Sequence, residues 1–339
     1  MARNGGRRLL GWVIWGAGAT AILATVVPFL RTDWWWVRVL DFPRLQVAVL
    51  AAGTAIVALL VLERRRRRVR ALVILLLASL GYQASEVYPF TFLAPEQVAA
   101  AGACPGDGRL GLLIANVLMT NRQAEPFLRL VRLRDPDVVV ATETDRWWDA
   151  QLQRLAPRYP YSVRYPLENT YGIHLYSKLP LEEPEVRFLV QPGIPSIRAR
   201  LRLRSGTLVE FHAVHPTPPQ PQRDTTPRDV ELILVGLQVN GDGRPTVVAG
   251  DLNDVGWSDT TRQFQEVSGL LDPRVGRGLY ATFNANWPLL RWPLDHVFVD
   301  RSFRLVRLTR EGDIGSDHFP IFVELCREPG QALAPVRGE

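Results

Sequence analysis

The residues best suited to chemistry in this 339-residue chain are acidic, amide and imidazole side chains that follow short apolar runs. Glu143 comes directly after the β-branched run 138–142. A carboxylate at the end of a buried strand can hold a hard divalent cation such as Mg²⁺, which prefers oxygen ligands. A solvated glutamate that caps the next helix is the alternative interpretation of this residue.

A second group of candidates follows the apolar run 247–249. Gly250 permits a sharp turn, and Asp251 and Asn253 lie two positions apart, so both side chains can point to the same side of an extended segment. An aspartate can orient an attacking water, and an asparagine can donate a hydrogen bond to a phosphate oxygen. An Asx turn between a strand and a helix is the alternative.

Histidines supply the third kind of group. His318 lies in the sequence Ser-Asp-His-Phe-Pro at 316–320, and Asp295 begins the preceding strand. A histidine held by a carboxylate has a fixed tautomer and can stabilise developing charge or transfer a proton. His215 follows another strand and can neutralise a phosphate, whereas His174 and His212 lie within strands and are weaker candidates. A histidine satisfied by a local turn remains the alternative for each.

The elements that must position these residues lie between 109 and 327, where apolar runs alternate with helical periodicity. This pattern predicts an α/β domain. The predicted helices cover 123–134 and 229–239, and the predicted strands cover 110–117, 138–142, 171–177, 196–204, 207–214, 246–249, 294–299 and 319–325. The polar candidates fall at strand ends or just after them, where such domains expose binding groups.

The first ninety residues have a different composition. Apolar stretches at 9–30, 45–62 and 71–88 are each near the roughly 20 residues that cross a bilayer as a helix. We interpret them as three transmembrane helices in a membrane domain covering 1–90. The first stretch is too long for a typical signal peptide and has no convincing cleavage site, so we interpret it as an uncleaved anchor. A buried core hairpin is the alternative.

Arginine clusters predict the orientation of these helices, because loops rich in Lys and Arg stay in the cytoplasm. One cluster precedes the first helix, and another separates the second from the third: Arg3, Arg7, Arg8, then 64–68 with Arg70. The loop 31–44, with tryptophans at 34–36, would then face outward. The linker 91–108, the domain 109–327 and the tail 328–339 would lie outside the cytoplasm, attached to the cell (inner) membrane.

The net charge is +6, which suits anionic partners, although the arginine clusters account for much of it. The two cysteines, Cys104 and Cys326, are too few for a disulfide framework or a structural zinc site. Because they flank the domain, one bridge between its ends and two unpaired thiols are both compatible with the sequence.

In this order and spacing, the motifs resemble the endonuclease/exonuclease/phosphatase superfamily over about 109–327. The resemblance rests on these residues: Asn116, Glu143, Tyr171 to Lys178, His215, Gly250 to Asn253, Leu294 to His296 and Ser316 to His318. It implies a DNase-like α/β (α+β) fold, a two-layered β-sandwich flanked by helices, here preceded by three transmembrane helices.

The resemblance also implies a role for each residue. Glu143 would be the principal ligand of Mg²⁺, with Mn²⁺ as the alternative ion, and Asn116 and Asp317 would lie nearby. Asp251 would orient or deprotonate water, and Asn253 would bind the scissile phosphate. Asp295 would pair with His318, which stabilises the transition state, and His215 would be the second histidine found in some branches. His174 departs from the small residue usual in its strand.

The whole chain is similar to a bacterial membrane-anchored branch associated with glycopeptide resistance, which acts on lipid-linked phosphates of cell-wall synthesis. The first hypothesis is therefore a phosphatase or phosphodiesterase whose partners are membrane lipids and a phosphorylated, lipid-linked substrate. The second is an extracytoplasmic nuclease, because the region 274–292 interleaves arginine with Phe and Trp, a mixture that suits nucleic acid or lipid headgroups. The third is a catalytically silent membrane-bound binding module.

Overall fold

The computed structural model describes residues 2–327, except for the side chains of 2–7 and 240–242. The predicted tail 328–339 lies outside the described residues. The chain divides into two compact units, Met1–Leu93 with Pro219–Asp224, and Ala94–Pro218 with Thr225–Glu339.

The first unit is helical. Its helices are α1 (Ala2–Val26), the short α2 (Trp35–Arg38), α3 (Arg44–Val61) and α4 (Arg67–Val87). Three segments are long and apolar enough to cross a membrane: Arg8–Leu30, Arg44–Val61 and Arg67–Phe90. They agree with the predicted stretches to within a few residues. The last of the three long helices, α4, begins earlier than predicted, because the last arginines of the basic cluster form its first turn.

Several polar side chains lie inside this apolar unit, and three of them form a chain of hydrogen bonds. The Arg44 guanidinium donates to Asp41 at 2.7 Å and to the Gln83 side chain at 3.3 Å, and Gln83 donates to Thr25 at 3.0 Å. Burying such groups without hydrogen bonds would cost several kcal/mol. These bonds therefore fix how the three long helices pack at this level.

The second unit contains two mixed sheets. Its strands are β1 (Arg109–Asn116), β2 (Val138–Thr142), β3 (Tyr161–Tyr165), β4 (Ile173–Ser177), β5 (Leu181–Arg187), β6 (Ser196–Arg202), β7 (Leu208–Val214), β8 (Thr246–Asp251), β9 (Asp295–Val299), β10 (Phe303–Arg310) and β11 (Ile321–Arg327). One sheet has the order β10-β11-β1-β2-β4-β3 and the other β5-β6-β7-β8-β9. Its helices are α5 (Ala124–Arg134), α6 (Arg146–Leu152), α7 (Thr226–Asp242) and α8 (Asp259–Ser268).

The two sheets share one apolar core, formed by the inward-facing residues of both. The outer face of the first sheet packs on α5 and α6, and that of the second on α7 and α8. The predicted two-layered sandwich flanked by helices is therefore confirmed. Strand β8 runs to Asp251 rather than ending at 249, because its ladder with β9 continues to the pair Asp251 and Asp295.

Strand direction brings the candidate residues to one edge of each sheet. Strands β1 and β2 are parallel, so Asn116 and the start of the loop at Glu143 lie side by side. Strands β7 and β8 are also parallel, so His215 follows β7 beside the end of β8 at Asp251. Each sheet thus contributes one parallel pair whose carboxyl ends carry polar side chains.

Much of the stretch expected to be a linker packs on the second unit. Leu305 exchanges backbone hydrogen bonds with Ala99 and Ala101 at 2.9 and 2.8 Å. Cys104 and Cys326 form a disulfide, which decides between the two alternatives that the sequence left open. The bridge ties the segment before β1 to the last strand.

Candidate active site

The centre of the site is a buried pair of His318 and Asp295. His318 Nδ1 lies 2.8 Å from an Asp295 carboxylate oxygen, and both side chains are almost fully buried. Burial alone would lower the pKa of His318, but the Asp295 and Asp251 charges outweigh it and raise this pKa to about 10. His318 is therefore an imidazolium at neutral pH, with its Nε2 edge toward the site.

Asp251 lies between two histidines. Its carboxylate is 3.6 Å from His318 Nε2 and 3.7 Å from His215 Nε2. Asp251 can occupy this position because Gly250 precedes it: a Cβ on Gly250 would lie 2.0 Å from the Val214 carbonyl oxygen. Asp251 is also the carboxylate near His215 that the sequence did not identify.

His215 carries the opposite charge state from His318. Burial is the main reason that its pKa falls to about 4, and the positive His318 lowers it further against the pull of Asp251. Its Nδ1 has no hydrogen-bond partner among the described residues. The Tyr171 ring lies 5.4 Å from the imidazole, centroid to centroid. His215 is therefore a neutral imidazole that packs beside the Tyr171 ring.

The carboxylate of Glu143 lies across the site from these histidines. Asn116 links the two halves, because its amide nitrogen donates to Glu143 at 2.9 Å and to Asp251 at 3.0 Å. The Met119 backbone donates to the other Glu143 oxygen at 3.2 Å. Burial raises the pKa of Glu143 against these two hydrogen bonds, and the charges of Asp251 and Asp317 add to the rise.

The loop before β11 is fastened to β1. The Ser316 hydroxyl donates to the Asn116 carbonyl oxygen at 2.8 Å and accepts from the His318 backbone at 3.1 Å. This arrangement places the half-buried Asp317 between Ser316 and His318, close enough for its charge to raise the pKa of Glu143.

This donor set fits a divalent cation. Three carboxylates, those of Glu143, Asp251 and Asp317, interact electrostatically, and burial makes their mutual repulsion costly. Ligand atoms of Asp251, Asp295 and His318 also lie within 4.8 Å of one another, but there the protonated His318 already supplies the positive charge. A hard cation with oxygen ligands would relieve the repulsion. Asn116 faces the carboxylates with its amide nitrogen, so here it bridges them by donating hydrogen bonds.

Asn253 is held by its backbone and by its side chain. It has a left-handed backbone (φ 51°), its N–H donates to Asp251 at 2.9 Å, and its amide donates to the Pro216 carbonyl oxygen at 2.9 Å. The amide keeps a second hydrogen for a ligand. The buried Arg228 donates to the Asn253 carbonyl oxygen at 3.1 Å. The sequence contains no signal for Arg228, because no local motif distinguishes it from the other arginines.

Two weaker candidates have structural partners. His174 lies between Asp149 at 2.8 Å and the Thr144 hydroxyl at 2.6 Å, next to Glu143 in the chain. His212 lies beside Arg187, and chiefly through burial its pKa falls to about 3. Both rings are buried in their strands, and neither contributes an atom to the group around Asp251.

The sequence suggested that the basic and aromatic region 274–292 is one ligand-binding surface, but part of it has a structural role. Arg274 is buried and paired with Asp272 at 2.6 Å, and it also contacts His296. Arg277 donates to Glu96 and to the Val98 carbonyl oxygen. Both arginines therefore have partners within the domain, as a buried guanidinium such as that of Arg274 requires. Only the later part of the region remains for ligands.

The model of the Endonuclease/Exonuclease/phosphatase family matches residues 113–318, a range that includes every residue of the site described above. The chain belongs to this family. Its members are divalent-metal-dependent hydrolases of phosphoester bonds, so the chain is a hydrolase of that class. Among curated proteins, no sequence matches it significantly.

Solved structures support the fold. An endonuclease/exonuclease/phosphatase from Beutenbergia cavernae is similar with 20% identity and a TM-score of 0.53, covering 65% of this chain and 72% of its own. One from Bacteroides vulgatus has 15% identity and a TM-score of 0.54, covering 65% and 99%. D. rerio TDP2 complexed with single-strand DNA product has 17% identity and a TM-score of 0.52, covering 64% and 98%.

Proposed function

We propose that this protein is a membrane-anchored, Mg²⁺-dependent phosphoesterase that hydrolyses a lipid-linked phosphate or pyrophosphate at the outer face of the cytoplasmic membrane. The observation that carries the proposal is the presence, on one chain, of this site and of three helices apolar enough to span a bilayer. An enzyme confined to a membrane meets lipid-linked substrates far more often than soluble ones.

The site residues divide the reaction between them. Asp251 accepts a proton from a water, whose oxygen attacks phosphorus while the bond to the leaving oxygen breaks. The His318 imidazolium, held positive by Asp295, offers an N–H and a charge to the oxygens that become more negative. Asn253 and the neutral His215 are placed to orient the phosphate, and a phosphate anion beside His215 would raise its pKa.

Glu143, with Asn116 and Asp317 nearby, would hold the cation. When bound, Mg²⁺ supplies a Lewis acid that draws electron density from a phosphoryl oxygen. Glu143 is suited to this task because it lies at the end of β2 with a fixed left-handed backbone (φ 59°) and two hydrogen bonds to its oxygens. Its carboxylate is therefore pre-organised.

The disulfide supports an extracytoplasmic location. Bridges such as that between Cys104 and Cys326 persist in oxidising compartments and are rare in the cytoplasm. The arginine clusters that predict a cytoplasmic N-terminus lead to the same side for the catalytic domain, because three spans follow. These two arguments are independent of each other.

The alternative of an extracytoplasmic nuclease is weakened because Arg274 is buried on Asp272 and Arg277 is paired with Glu96, so neither charge is free for a nucleic acid backbone. Nucleic-acid binding depends strongly on such cations. A lipid phosphate needs fewer of them, since the bilayer itself positions the substrate.

The test is phosphate release by purified full-length protein in detergent and in vesicles, with Mg²⁺ or with a chelator. Substrates would be a polyprenyl pyrophosphate, bis-p-nitrophenyl phosphate and plasmid DNA, and Asp251→Ala would serve as the inactive control. We expect Mg²⁺-dependent turnover of the lipid substrate that is lost in the variant. Faster hydrolysis of DNA than of lipid would replace this proposal by the nuclease, and equal activity of the variant would refute the site.

A further inference from the structure

The segment between Phe283 and Trp292 forms a short hairpin beside the site. Phe283 and Trp292 exchange backbone hydrogen bonds at its base, and Leu290 donates to the Trp287 carbonyl oxygen at 3.0 Å near its end. Residues 286–290, which we call the apolar tip, read Asn-Trp-Pro-Leu-Leu and carry no charge. The hairpin is thus a defined structure, and its tip is its most apolar part.

The apolar tip faces water in the protein alone. The side chains of Trp287, Leu289 and Leu290 are 63%, 84% and 47% exposed. Single exposed apolar residues are ordinary, but three within four positions of a hairpin end form a contiguous patch of the kind that marks a contact surface. Tryptophan and leucine together are typical of segments that enter the interfacial layer of a bilayer.

Two arginines lie behind the tip and share one aromatic ring. The guanidinium carbons of Arg291 and Arg310 lie 4.8 and 4.6 Å from the Phe319 ring centroid. Arg291 donates to the carbonyl oxygens of Asn284 and Ala285, and Arg310 to that of Ala281, so within the described part of the chain these hydrogen-bond partners are uncharged. The pair keeps two positive charges for an anion.

The hairpin is also joined to the catalytic residues. The Ala285 backbone donates to the Asp317 carbonyl oxygen at 2.7 Å, and the Phe283 ring lies 4.9 Å from the His318 ring, centroid to centroid. Phe319, the ring shared by the arginine pair, is the next residue after His318. A surface that engages the tip therefore comes close to the reacting groups.

We propose that the apolar tip and the arginine pair dock on the surface of a phospholipid bilayer, the tip entering the interfacial layer and the guanidiniums contacting lipid phosphates. The proposal rests on the proposed function, in which three spans of the same chain keep a bilayer near the domain. An uncharged tip followed by cations matches the apolar interior and anionic headgroups of a bilayer, in that order. A nucleic acid would leave Leu289 and Leu290 in water.

The test uses full-length protein reconstituted in vesicles of phosphatidylglycerol and phosphatidylcholine. An environment-sensitive fluorophore is attached through Leu289→Cys and, as the matched control, through Leu133→Cys, because Leu133 is a similarly exposed leucine (76%) that lies on α5, away from the hairpin sequence. We expect a blue shift and quenching by nitroxide-labelled lipid at 289 only. Emission typical of water at both positions would overturn the proposal. A blue shift at position 289 on addition of DNA but not of lipid vesicles would also overturn it.

Activity gives a second, separable readout. Leu289→Asn should lower kcat/KM on a lipid-embedded phosphate by about tenfold or more, the loss expected for one buried leucine, with turnover of bis-p-nitrophenyl phosphate unchanged. Arg291→Gln with Arg310→Gln should reduce lipid quenching at 289 mainly in phosphatidylglycerol vesicles. Lipid turnover with an aqueous probe at 289 would refute docking alone, whereas a quenched probe without lipid turnover would refute only the proposed function.

Discussion

His318 and His215 lie on either side of one carboxylate, yet they have opposite charge states. The pKa of His318 is about 10, because Asp295 and Asp251 outweigh the effect of burial, whereas the pKa of His215 is about 4, because burial prevails there. Two imidazoles with separated pKa values can perform different tasks at one pH. At the residue scale, the site consists of one fixed cation and one neutral ring.

The pair of Asp295 and His318 leads to a first prediction. Asp295→Asn removes the nearest negative charge from His318, so the pKa of His318 should fall well below about 10, as measured by NMR titration of the imidazole. The kcat should fall by about 10²- to 10⁴-fold, in the range of general acid–base and electrostatic contributions. Asp300→Asn, a buried carboxylate outside the site, is the control and should retain activity.

Glu143 supports a second prediction. Because burial and neighbouring carboxylates raise the pKa of Glu143, Glu143→Gln should stabilise the metal-free protein, seen as a higher melting temperature in chelator. The same change should raise the Mg²⁺ concentration for half-maximal activity by about tenfold or more. A variant with unchanged Mg²⁺ dependence would show that this residue is not a ligand.

Among the elements, α7 contains a conflict between charge and burial. Leu232, Val235 and Val239 pack it on the second sheet, but Glu231 beside them is 2% exposed and one of its oxygens has no hydrogen-bond partner in the described part of the chain. Burial raises the pKa of Glu231 to about 7. The helix therefore packs best with this side chain protonated.

The sign of the resulting pH dependence follows from the raised pKa. The contribution of Glu231 to the free energy of unfolding is complete below its ordinary pKa of 4.5 and is lost as the pH rises through about 7. The cost to the free energy of unfolding is about 3 kcal/mol between those limits. Glu231→Gln should flatten this slope in urea unfolding of the full chain in detergent. An identical slope in both proteins would mean that Glu231 is solvated or paired.

At the scale of the whole molecule, the disulfide closes almost the entire second unit into one loop. Cys104 and Cys326 are 222 residues apart in sequence. Closing a loop of that length corresponds to about 5 kcal/mol of stabilisation in the chain-entropy model. Cys326→Ser should lower the free energy of unfolding by this order, and reductant should have the same effect on the wild type and none on the variant.

The orientation of the chain provides a further whole-molecule prediction. An alkaline phosphatase reporter, which is active only outside the cytoplasm, should be active when fused after Pro105, because three spans precede that residue. A fusion after Arg65, within the second arginine cluster, is the matched control and should be inactive. The opposite pattern of activity would reverse the proposed orientation and leave the disulfide in a reducing compartment.

The sequence by itself determined the order of the site residues and the strands that carry them, but it did not predict β3, β5, β10, α6 or α8. The β-branched run before Glu143 became β2 with the predicted limits, and the three apolar stretches became three long helices, because period and apolar content are local properties. The sequence also predicted the roles of Asp295 and His318, although their motifs are short, because the order of the motifs along the chain is characteristic of the family.

The tertiary structure alone decided which charges these residues carry and which arginines remain available for ligands. Asp251 lies beside both histidines because the parallel pair β7 and β8 places it next to His215, and the loop before β11 of the other sheet brings His318 to the same place. Burial lowers the pKa of both rings, and the Asp295 carboxylate beside His318 is what separates the two values. Arg274 belonged by sequence to a binding surface and is instead buried on Asp272. Desolvation and Coulomb interactions depend on distances through space, and spacing along the chain does not specify them.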